Sequence, residues 1–300
     1  MKNEKSLQIQ AVLYKNDVSA LERSLISLTN AVFHAQKSGL LRDATLLWGD
    51  ASPTPLLSDE EIQAFSQKAE QSFGAPVLSL SYRFFDENTG YGKGHNRLFA
   101  DCRADYLMIL NPDIVVCHDF FLEMLAPFVD TDAGLTEARQ TPVEHPKQYD
   151  KLTGETPWAS GACFIMPASL YRVLGGFDEQ FFMYCEDVDL SFRIRQAGKK
   201  LLYRPTAPAY HSKHFDNKRG ELERTVTEMR YSSESQMILA YKWKQKRMLS
   251  YLRSVFRSGD EHQQAGLAAF EERLSKGGLS QIDGDLSVFQ KRYLNNRYTM

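Results

Sequence analysis

The 300-residue sequence has no apolar run that could span a bilayer, no paired-cysteine motif and no excess of basic charge. A membrane-spanning helix needs about 20 consecutive apolar residues, and no window of the chain approaches that length. The four cysteines are far apart and form no C-x-x-C, which favours free thiols in a reducing compartment. A formal net charge of −2 argues against a basic face for nucleic acid. These absences predict a soluble, cytoplasmic protein that binds no nucleic acid.

Signals of targeting and of several common enzyme classes are also missing. The N-terminal sequence MKNEKSLQIQAVLY has no long apolar core after its lysines, so it is not expected to be a secretory signal. The chain shows no nucleophile elbow and no compact Cys/His cluster, which argues against an α/β-hydrolase and against structural zinc. Its length and ordinary composition suit one large domain, or one domain with an appendage.

The first half of the chain alternates between strand and helix patterns. Asp17 can cap a helix with one apolar face, and Ser58 with Glu61 has the spacing of a capping box. Strands are predicted at 9–14, 44–48, 76–82 and 105–110. Strands separated by helices predict an α/β fold, with a mostly parallel sheet covered by helices on both faces. Because ligands gather at the carboxyl ends of such strands, the sites to inspect are Asn16, Asp50, 86–96 and 111–113.

The second half is less regular. Residues 131–157 are polar and rich in proline and threonine, which favours a mobile loop. Residues 200–211 are typical of an extended segment interrupted by prolines, and the pattern from 221 onward is helical. The stretch 241–257 contains six basic residues and no acid, interleaved with aromatic and aliphatic residues. It predicts either a basic amphipathic helix on an anionic membrane surface or a helix packed on the core with a solvated basic face.

Three acids lie in the most informative segment, GGFDEQFFMYCEDVDLSFRIRQAGKK, at Glu186, Asp187 and Asp189. Acids in the first turn of a helix are favoured by the helix dipole, so capping is the simple alternative. Their position after a Gly-Gly turn and large apolar residues instead suggests carboxylates at the rim of a cleft. A carboxylate fixed there can remove a proton from an incoming hydroxyl group.

Three further constellations could bind a ligand. Asp113, in the turn Asn111-Pro112-Asp113 after a buried strand, is a hard oxygen ligand suited to Mg²⁺ or Mn²⁺, although a simple backbone-bonding turn is the alternative. His211 and His214 could add a metal contact or be structural. The segment 88–96, NTGYGKGHN, could let a backbone approach phosphate closely, but a surface turn explains its glycines equally well.

Taken in order, these segments resemble family 2 glycosyltransferases, and within them the rhamnosyltransferase-like members that build bacterial surface polysaccharides. The resemblance covers residues 7–214 and depends on the first strand ending at Asn16, on NTGYGKGHN, on LMILNPDIVV, and on the long acidic segment with its flanks. It implies one nucleotide-sugar-dependent A-type glycosyltransferase domain at 1–219, with a divalent metal. A helical C-terminal extension follows at 220–300, available for membrane-surface or oligomer contact.

The resemblance also implies roles for individual residues. Asp113, with the help of His211, would bind Mg²⁺ or Mn²⁺, and Asp187, next to Glu186, would be the general base. The remaining assignments are to the nucleotide sugar for Asn16, Asp50, Asn88, Gly90, Gly94, Asn96 and Asn111, and to the acceptor side for Trp158, Gly161 and Asp189. The chain departs from the family pattern at Lys15, at Gly49-Asp50, where the acid is displaced by one residue, and at Asn111, which replaces the first Asp of the metal motif.

The resemblance therefore implies an inverting, metal-dependent glycosyltransferase. Its expected donor is dTDP-L-rhamnose and its expected acceptor a lipid-linked oligosaccharide at the inner face of the plasma membrane. Two alternatives stay open: the same fold with a UDP-hexose donor, and a non-catalytic module that holds a glycan or nucleotide sugar. Retention of both Asp113 and Asp187 argues against the second. The sequence leaves the oligomeric state open.

Overall fold

The structure is a computed structural model that describes residues 4–71, 73, 76–144, 148–211, 215–216, 221–222 and 225–284. The strands in these residues are β1 (Lys5–Leu13), β2 (Leu41–Asp50), β3 (Ser79–Phe84), β4 (Tyr106–Leu110), β5 (Ile114–Val116), β6 (Ala133–Thr141), β7 (Cys163–Pro167), β8 (Lys200–His211), β9 (Phe215–Asp216) and β10 (Glu221–Leu222). The first eight form one sheet in the order β3-β2-β1-β4-β7-β6-β8-β5, and β9 pairs with β10.

Helices cover both faces of this sheet and continue beyond it toward the C-terminus. They are α1 (Val18–Lys37), α2 (Asp59–Gln71), α3 (Tyr91–Phe99), α4 (Phe120–Leu125), α5 (Pro127–Asp130), α6 (Ala168–Val173), α7 (Glu186–Gln196), α8 (Val226–Lys242), α9 (Lys246–Arg257) and α10 (Glu261–Ser275). None of these described helices is long and apolar enough to cross a membrane.

The four strands predicted in the first half of the chain are present and parallel to one another, as β3-β2-β1-β4. The two predicted N-caps are also present. Asp17 accepts a hydrogen bond from the amide of Ser19, and Ser58 and Glu61 exchange the two bonds of a capping box. The expected mostly parallel arrangement is therefore confirmed for this half of the sheet.

The second half of the sheet is mixed, and it corrects the prediction that 131–157 is a loop. Strand β6 lies between β7, with which it is antiparallel, and β8, with which it is parallel. Three of its polar residues, Thr136, Glu137 and Gln140, are buried rather than solvated. The Thr136 hydroxyl donates to the Met124 carbonyl at 2.9 Å, and Glu137 accepts from the Ser160 amide at 2.9 Å. Polarity misled the prediction because hydrogen bonds replace water at these positions.

Strand β8 likewise runs through its prolines instead of being interrupted by them. It pairs with β6 at residues 200–204 and 208–210, with a register shift between Ala138 and Arg139, where Pro208 lies opposite Arg139. Proline is tolerated at such a bulge because it removes only one donor from the ladder. The strand consequently delivers His211 to the same edge of the sheet as the end of β4.

Two apolar cores lie on the two faces of the sheet, and β4 contributes to both. Met108 and Leu110 belong to the core that includes α1, whereas Leu107 and Ile109 face α6 and α7. This is the period-2 alternation of a strand that is buried on both sides. Each fully buried Leu or Ile side chain contributes roughly 1.5–3 kcal/mol to this packing.

A third core joins the C-terminal helices to the acidic segment. Met237, Trp243 and Phe270 of α8–α10 pack with Phe181 and Phe192. The helices after residue 225 are therefore bound to the chain's acidic segment by apolar contact. The predicted boundary at 219/220 remains a prediction.

The stretch 241–257 is two elements rather than one amphipathic helix. Helix α8 ends at Lys242, whose ammonium group is buried in ion pairs with Asp178 and Asp189. Helix α9 begins at Lys246 and turns Met248, Leu252 and Phe256 into the third core. Lys242 is thus unavailable to a membrane surface, and α9 matches the alternative of a packed helix with a solvated basic face.

Candidate functional site

Three adjacent strands end at the same edge of the sheet, and polar residues follow each of them. In β1 and β2, Leu13 lies opposite Asp50, and β4 ends at Leu110 on the other side of β1. Asn16, Asp50 and the turn at 111–113 therefore gather at one edge. This is the edge at which parallel α/β sheets bind ligands.

Asp113, Asn111 and His211 converge at this edge. Asp113 Oδ1 lies 3.3 Å from His211 Nε2, and Asn111 Nδ2 lies 3.2 Å from the same nitrogen. The meeting follows from the antiparallel pairing of β5 with β8, which sets His211 opposite Ile114. The sequence assigned these three residues to the metal and diphosphate side, and the structure brings them together.

Gln140 of β6 completes this cluster, although no sequence motif indicated it. Its Oε1 lies 3.1 Å from His211 Nδ1, and its side chain is buried. The contacts with Gln140 Oε1 and with Asn111 Nδ2 require the same tautomer, in which Nδ1 carries the hydrogen and Nε2 a lone pair. Gln140 was missed because β6 was taken for a loop; its register opposite Ala209 of β8 places it next to His211.

The donor set fits a hard divalent cation. Asp113 Oδ1 and His211 Nε2, 3.3 Å apart, can each offer a lone pair to the same cation, since neighbouring ligands of an octahedral ion are about 3 Å apart. Within the described residues, no group of three His, Cys, Asp or Glu side chains could hold a metal alone. The two side chains suit an ion that takes its other ligands from phosphate and water, as Mg²⁺ commonly does.

Asp187 forms the opposite rim of the candidate cleft. Its side chain is half-buried, and its carboxylate accepts hydrogen bonds from the amides of Gly161 at 2.7 Å and Val188 at 2.8 Å. A Cβ on Gly161 would lie 3.3 Å from the Tyr91 ring and 3.4 Å from Asp187 Cβ, which is tight on both sides. The backbone amides thus fix the orientation of this carboxylate while its side chain stays partly accessible.

Residues 161–162 connect the two rims directly. Gly161 donates its amide to Asp187, and the next residue, Ala162, accepts the Asn111 amide at 2.8 Å. The acid and the metal-side turn are therefore held by two consecutive residues just before β7. Gly161, predicted on the acceptor side, lies at this junction.

Glu186 differs from Asp187 although the two are neighbours. Its side chain is buried, and its Oε2 has no hydrogen-bond partner in the part of the chain described. Burial, followed by the charges of Asp187 and Asp189, raises the pKa of Glu186 well above its ordinary value. Burial therefore favours the neutral form of Glu186, and its predicted catalytic role remains a prediction.

The backbone that leads into the pair Glu186-Asp187 is strained. Tyr184 and Cys185, both non-glycine, have φ angles of 72° and 63° immediately before α7 begins. Residues held in this left-handed region cost roughly 1–3 kcal/mol each and concentrate at functional sites. This conformation, rather than a side-chain cap, sets the direction in which Glu186 and Asp187 leave the turn.

Asp189 and Trp158 are structural rather than acceptor-side residues. Asp189 is fully buried and binds Arg193 at 2.8 Å, Lys242 at 2.7 Å and the Trp243 indole N–H at 2.9 Å. Trp158 is buried in the third core. Their spacing in sequence placed them near Asp187, but the helical turn directs Asp189 into the protein.

The glycine-rich segment is a helix rather than a phosphate-cradling loop. Helix α3 begins at Tyr91, so Gly94 lies inside it, where a Cβ would come within 2.8 Å of Val12 and of Thr89. Gly90 precedes the helix with φ at 68°, and a Cβ there would lie 2.2 Å from the Phe182 carbonyl oxygen. These glycines allow close packing of protein against protein.

The two asparagines of this segment also bond within the protein. Asn96 accepts from the Tyr171 hydroxyl and the Phe177 amide, and donates to the Phe177 carbonyl and to Glu179. Its assignment to the nucleotide sugar is therefore replaced by anchoring of the turn at 176–179. Asn88 is exposed and accepts from the Gly90 amide at 3.3 Å.

Asn16 and Asp50 lie at the expected edge but differ in accessibility. Asn16 is half-buried and accepts from the Tyr14 amide at 2.8 Å. Asp50 is fully buried and accepts from the amides of Ser52 and Leu56 and from the Tyr82 hydroxyl. Burial and the bond to Asp50 raise the pKa of Tyr82 to about 12. Asp50 thus anchors the loop after β2, and its assignment to the nucleotide sugar remains a prediction. His214 lies outside the described residues.

No protein-family model matches the chain, but curated relatives do. Rhamnosyltransferase WbbL of Escherichia coli (strain K12) is 30% identical over 201 aligned positions, covering 53% of this chain and 76% of the relative. The N-acetylglucosaminyl-diphospho-decaprenol L-rhamnosyltransferase of Mycobacterium tuberculosis is 38% identical over 90 residues, 30% of this chain and 27% of the relative. This second match therefore covers only about a quarter of the relative's length.

Solved glycosyltransferase structures share the fold. The structure of GalNAc-T7 with UDP, GalNAc and Mn²⁺ superposes with a TM-score of 0.64 at 13% identity, covering 97% of this chain and 57% of that one. The mannosyltransferase PcManGT from Pyrobaculum calidifontis, with GDP-Man and Mn²⁺, has a TM-score of 0.56 at 14% identity, covering 92% and 81%. Together with the extent of the match to WbbL, they show that the chain belongs to the rhamnosyltransferase-like, A-type glycosyltransferases.

Proposed function

We propose that this glycosyltransferase moves L-rhamnose from dTDP-L-rhamnose to a hydroxyl group of a lipid-linked glycan, with inversion at the anomeric carbon. The observation that carries this proposal is the junction at 161–162. Gly161 holds Asp187, and Ala162 holds the turn that contains Asn111 and Asp113. The amide that holds Asp187 and the carbonyl that holds the diphosphate-side turn are thus separated by only one peptide unit. Such a fixed connection between base and leaving-group side favours a single displacement, which needs the reacting groups held in one geometry.

Asp187 is the proposed base. Its half-buried carboxylate takes the proton of the acceptor hydroxyl as that oxygen bonds to the anomeric carbon, while the bond from that carbon to the diphosphate breaks. The attacking and leaving oxygens lie on opposite faces of the sugar, so the configuration inverts. The amides of Gly161 and Val188 keep the carboxylate in the orientation that this transfer requires.

Asp113 and His211 are the proposed holders of Mg²⁺ or Mn²⁺, with Asn111 beside them and Gln140 behind His211. When bound, such an ion neutralises charge on the departing diphosphate. Asn111 contributes no negative charge, so the protein offers one carboxylate where a family pattern with two acids would offer more. We therefore expect metal affinity to depend strongly on the nucleotide.

The acceptor that we propose is a sugar joined through a diphosphate to a polyprenyl lipid, the type of molecule named for the mycobacterial relative. Residues 1–219 would form the catalytic domain, and 220–300 an extension that works with it. Exposed Lys246, Arg247 and Arg257 on α9 would attract an anionic inner leaflet and keep the enzyme near its acceptor. This proposal restricts the membrane contact expected for 241–257 to three exposed basic residues of α9.

The test is a thermal-shift panel of dTDP, UDP and GDP, each with and without Mn²⁺. A ligand at 100 times its Kd raises the free energy of unfolding by about 2.7 kcal/mol, so the donor nucleotide should stabilise most and only with metal. Asp113→Ala should lose this metal-dependent shift, and His211→Ala should lose part of it. A larger shift with UDP would assign a UDP-hexose donor, and equal shifts with and without EDTA would remove the metal from the proposal.

A further inference from the structure

The segment from Asp178 to Tyr184, which leads into the acids, is held by the C-terminal helices. Asp178 pairs with Lys242, the Gln180 carbonyl accepts from Arg273 at 2.9 Å, the Met183 carbonyl accepts from the Ser235 hydroxyl at 2.8 Å, and the Tyr184 hydroxyl donates to Glu228 at 3.2 Å. These partners belong to α8 and α10. The helices after residue 225 therefore form one wall beside Glu186 and Asp187.

An aromatic pair with an adjacent cation stands on this wall. The rings of Phe182 and Tyr231 are stacked, with centroids 4.5 Å apart and planes inclined by 29°. The Arg230 guanidinium carbon lies 5.1 Å from the centroid of the Tyr231 ring. All three side chains are half-buried. Among the described residues no carboxylate forms an ion pair with Arg230, whose guanidinium carries five N–H donors.

Tyr91 connects this pair to Asp187. Its amide donates to the Phe182 carbonyl at 2.9 Å, and its hydroxyl donates to the Gly161 carbonyl at 2.6 Å. Gly161 in turn donates its own amide to Asp187. The aromatic pair therefore lies about one tyrosine side chain away from the residue that holds the proposed base.

The chemistry of these three side chains matches a sugar phosphate. Aromatic faces pack against the apolar face of a pyranose ring, and a guanidinium group matches the geometry of phosphate oxygens better than an ammonium group does. We propose that Phe182, Tyr231 and Arg230 form an acceptor subsite that binds the sugar by stacking and its phosphate through Arg230. This inference rests on the proposed function and replaces Trp158 and Asp189 as acceptor contacts.

The experiment compares two probes by calorimetry and by acceptor KM: N-acetylglucosaminyl diphosphate carrying a short alkyl chain, and the same sugar with a neutral alkyl aglycone. Loss of a charge-assisted bond predicts that Arg230→Gln weakens the diphosphate probe by about tenfold or more and leaves the neutral probe unchanged. Loss of stacking predicts that Tyr231→Leu weakens both probes about threefold to tenfold. The KM for the donor should not follow either change.

The chain offers matched controls in Arg103→Gln and Tyr251→Leu, an exposed arginine before β4 and an exposed tyrosine of α9. Both should bind the two probes as the wild type does. The subsite is overturned if Arg230→Gln matches Arg103→Gln, or if it weakens both probes equally. A positive nucleotide panel combined with that outcome removes only the subsite, whereas a negative panel and no binding of either probe remove the proposed function with it. Thermal melting of each variant without ligand separates loss of binding from loss of fold, and Phe182→Leu is the second variant if Tyr231→Leu melts early.

Discussion

The two rims of the candidate cleft are built in opposite ways. The metal-side rim is made by strand ends, where the β4–β5 turn and the end of β8 meet through direct contacts of Asn111 and Asp113 with His211. The acid rim is a strained turn that α8 and α10 hold in place. The contacts of Met183 with Ser235 and of Gln180 with Arg273 join residues that are 52 and 93 positions apart in sequence. The first rim is a property of the sheet, and the second is a property of the whole chain.

The sharpest way to break this comparison is Asp187→Asn. The amide is nearly isosteric but cannot accept the proton, so kcat should fall by about 10²–10⁴-fold. Initial rates at saturating donor would measure the change, and the thermal shift given by nucleotide and Mn²⁺ should persist. Near-normal turnover would move the base to another residue and remove the acid rim from the mechanism.

Asp189→Asn should act on stability instead. Asp189 is fully buried between Arg193 and Lys242. Removing its charge leaves Arg193 without a carboxylate partner and Lys242 with Asp178 alone, which should cost about 3–5 kcal/mol in the free energy of unfolding. Urea unfolding measures this loss. The matched control is Glu271→Gln, which removes a half-exposed pair with Arg253 and should cost less than about 1 kcal/mol. Equal costs would mean that the buried network does not hold the acid rim.

Gln140→Leu tests the metal-side rim without touching a proposed ligand. Loss of the bond to His211 Nδ1 should lower Mn²⁺ affinity about 10–100-fold in the presence of nucleotide. Mn²⁺ titration followed by electron paramagnetic resonance gives the affinity directly. Gln140→Glu should restore it, because a carboxylate also accepts the Nδ1 hydrogen. In a His211→Ala background Gln140→Leu should add nothing, and an unchanged effect there would make Gln140 a packing residue only.

The basic face of α9 should have a smaller effect. Each Lys or Arg near an anionic surface contributes about 1 kcal/mol, so Lys246→Gln with Arg247→Gln should weaken binding to phosphatidylglycerol vesicles about 10–30-fold at low salt. Sedimentation with the vesicles measures this. Replacing Lys199 and Lys200, an exposed basic pair before and at the start of β8, is the control. If the wild type does not bind vesicles, α9 serves only to pack on the third core.

Glu186→Gln should change activity least, in contrast to the neighbouring Asp187→Asn. Glutamine resembles the protonated carboxyl that burial enforces, so kcat should stay within a few-fold of the wild type. Its effect should appear in the pH dependence of stability. The folded-state pKa is raised, so the unfolded chain ionises first and stability falls as pH rises above about 4.5. The variant should flatten this fall, measured by urea unfolding between pH 5 and 8, and a kcat loss as large as that of Asp187→Asn would return Glu186 to the catalytic residues.

Sequence reasoning located the metal-side rim better than the acid rim. Asn111, Asp113 and His211 could be predicted because each follows a strand, and strand ends of such a sheet meet at one edge. Gln140 and the burial of Asp189 could not, since both depend on pairings between distant segments. Gly94 and Asn96 were misassigned for a related reason. Glycine and asparagine permit close approach to a ligand and to another backbone alike, and only the fold distinguishes the two.

The attachment of the acid rim to α8 and α10 has a consequence for the biosynthesis of the protein. The contact between Gln180 and Arg273 joins residues 93 positions apart. At translation rates of about 5–20 residues per second, the second partner is polymerised about 5–20 s after the first. The sheet and its metal-side turn are thus complete on the ribosome while the acid still lacks the helices that fix it. Asp187, the proposed base, is therefore synthesised well before the helices that hold it in position. We expect a nascent or C-terminally truncated enzyme to bind nucleotide before it can transfer sugar.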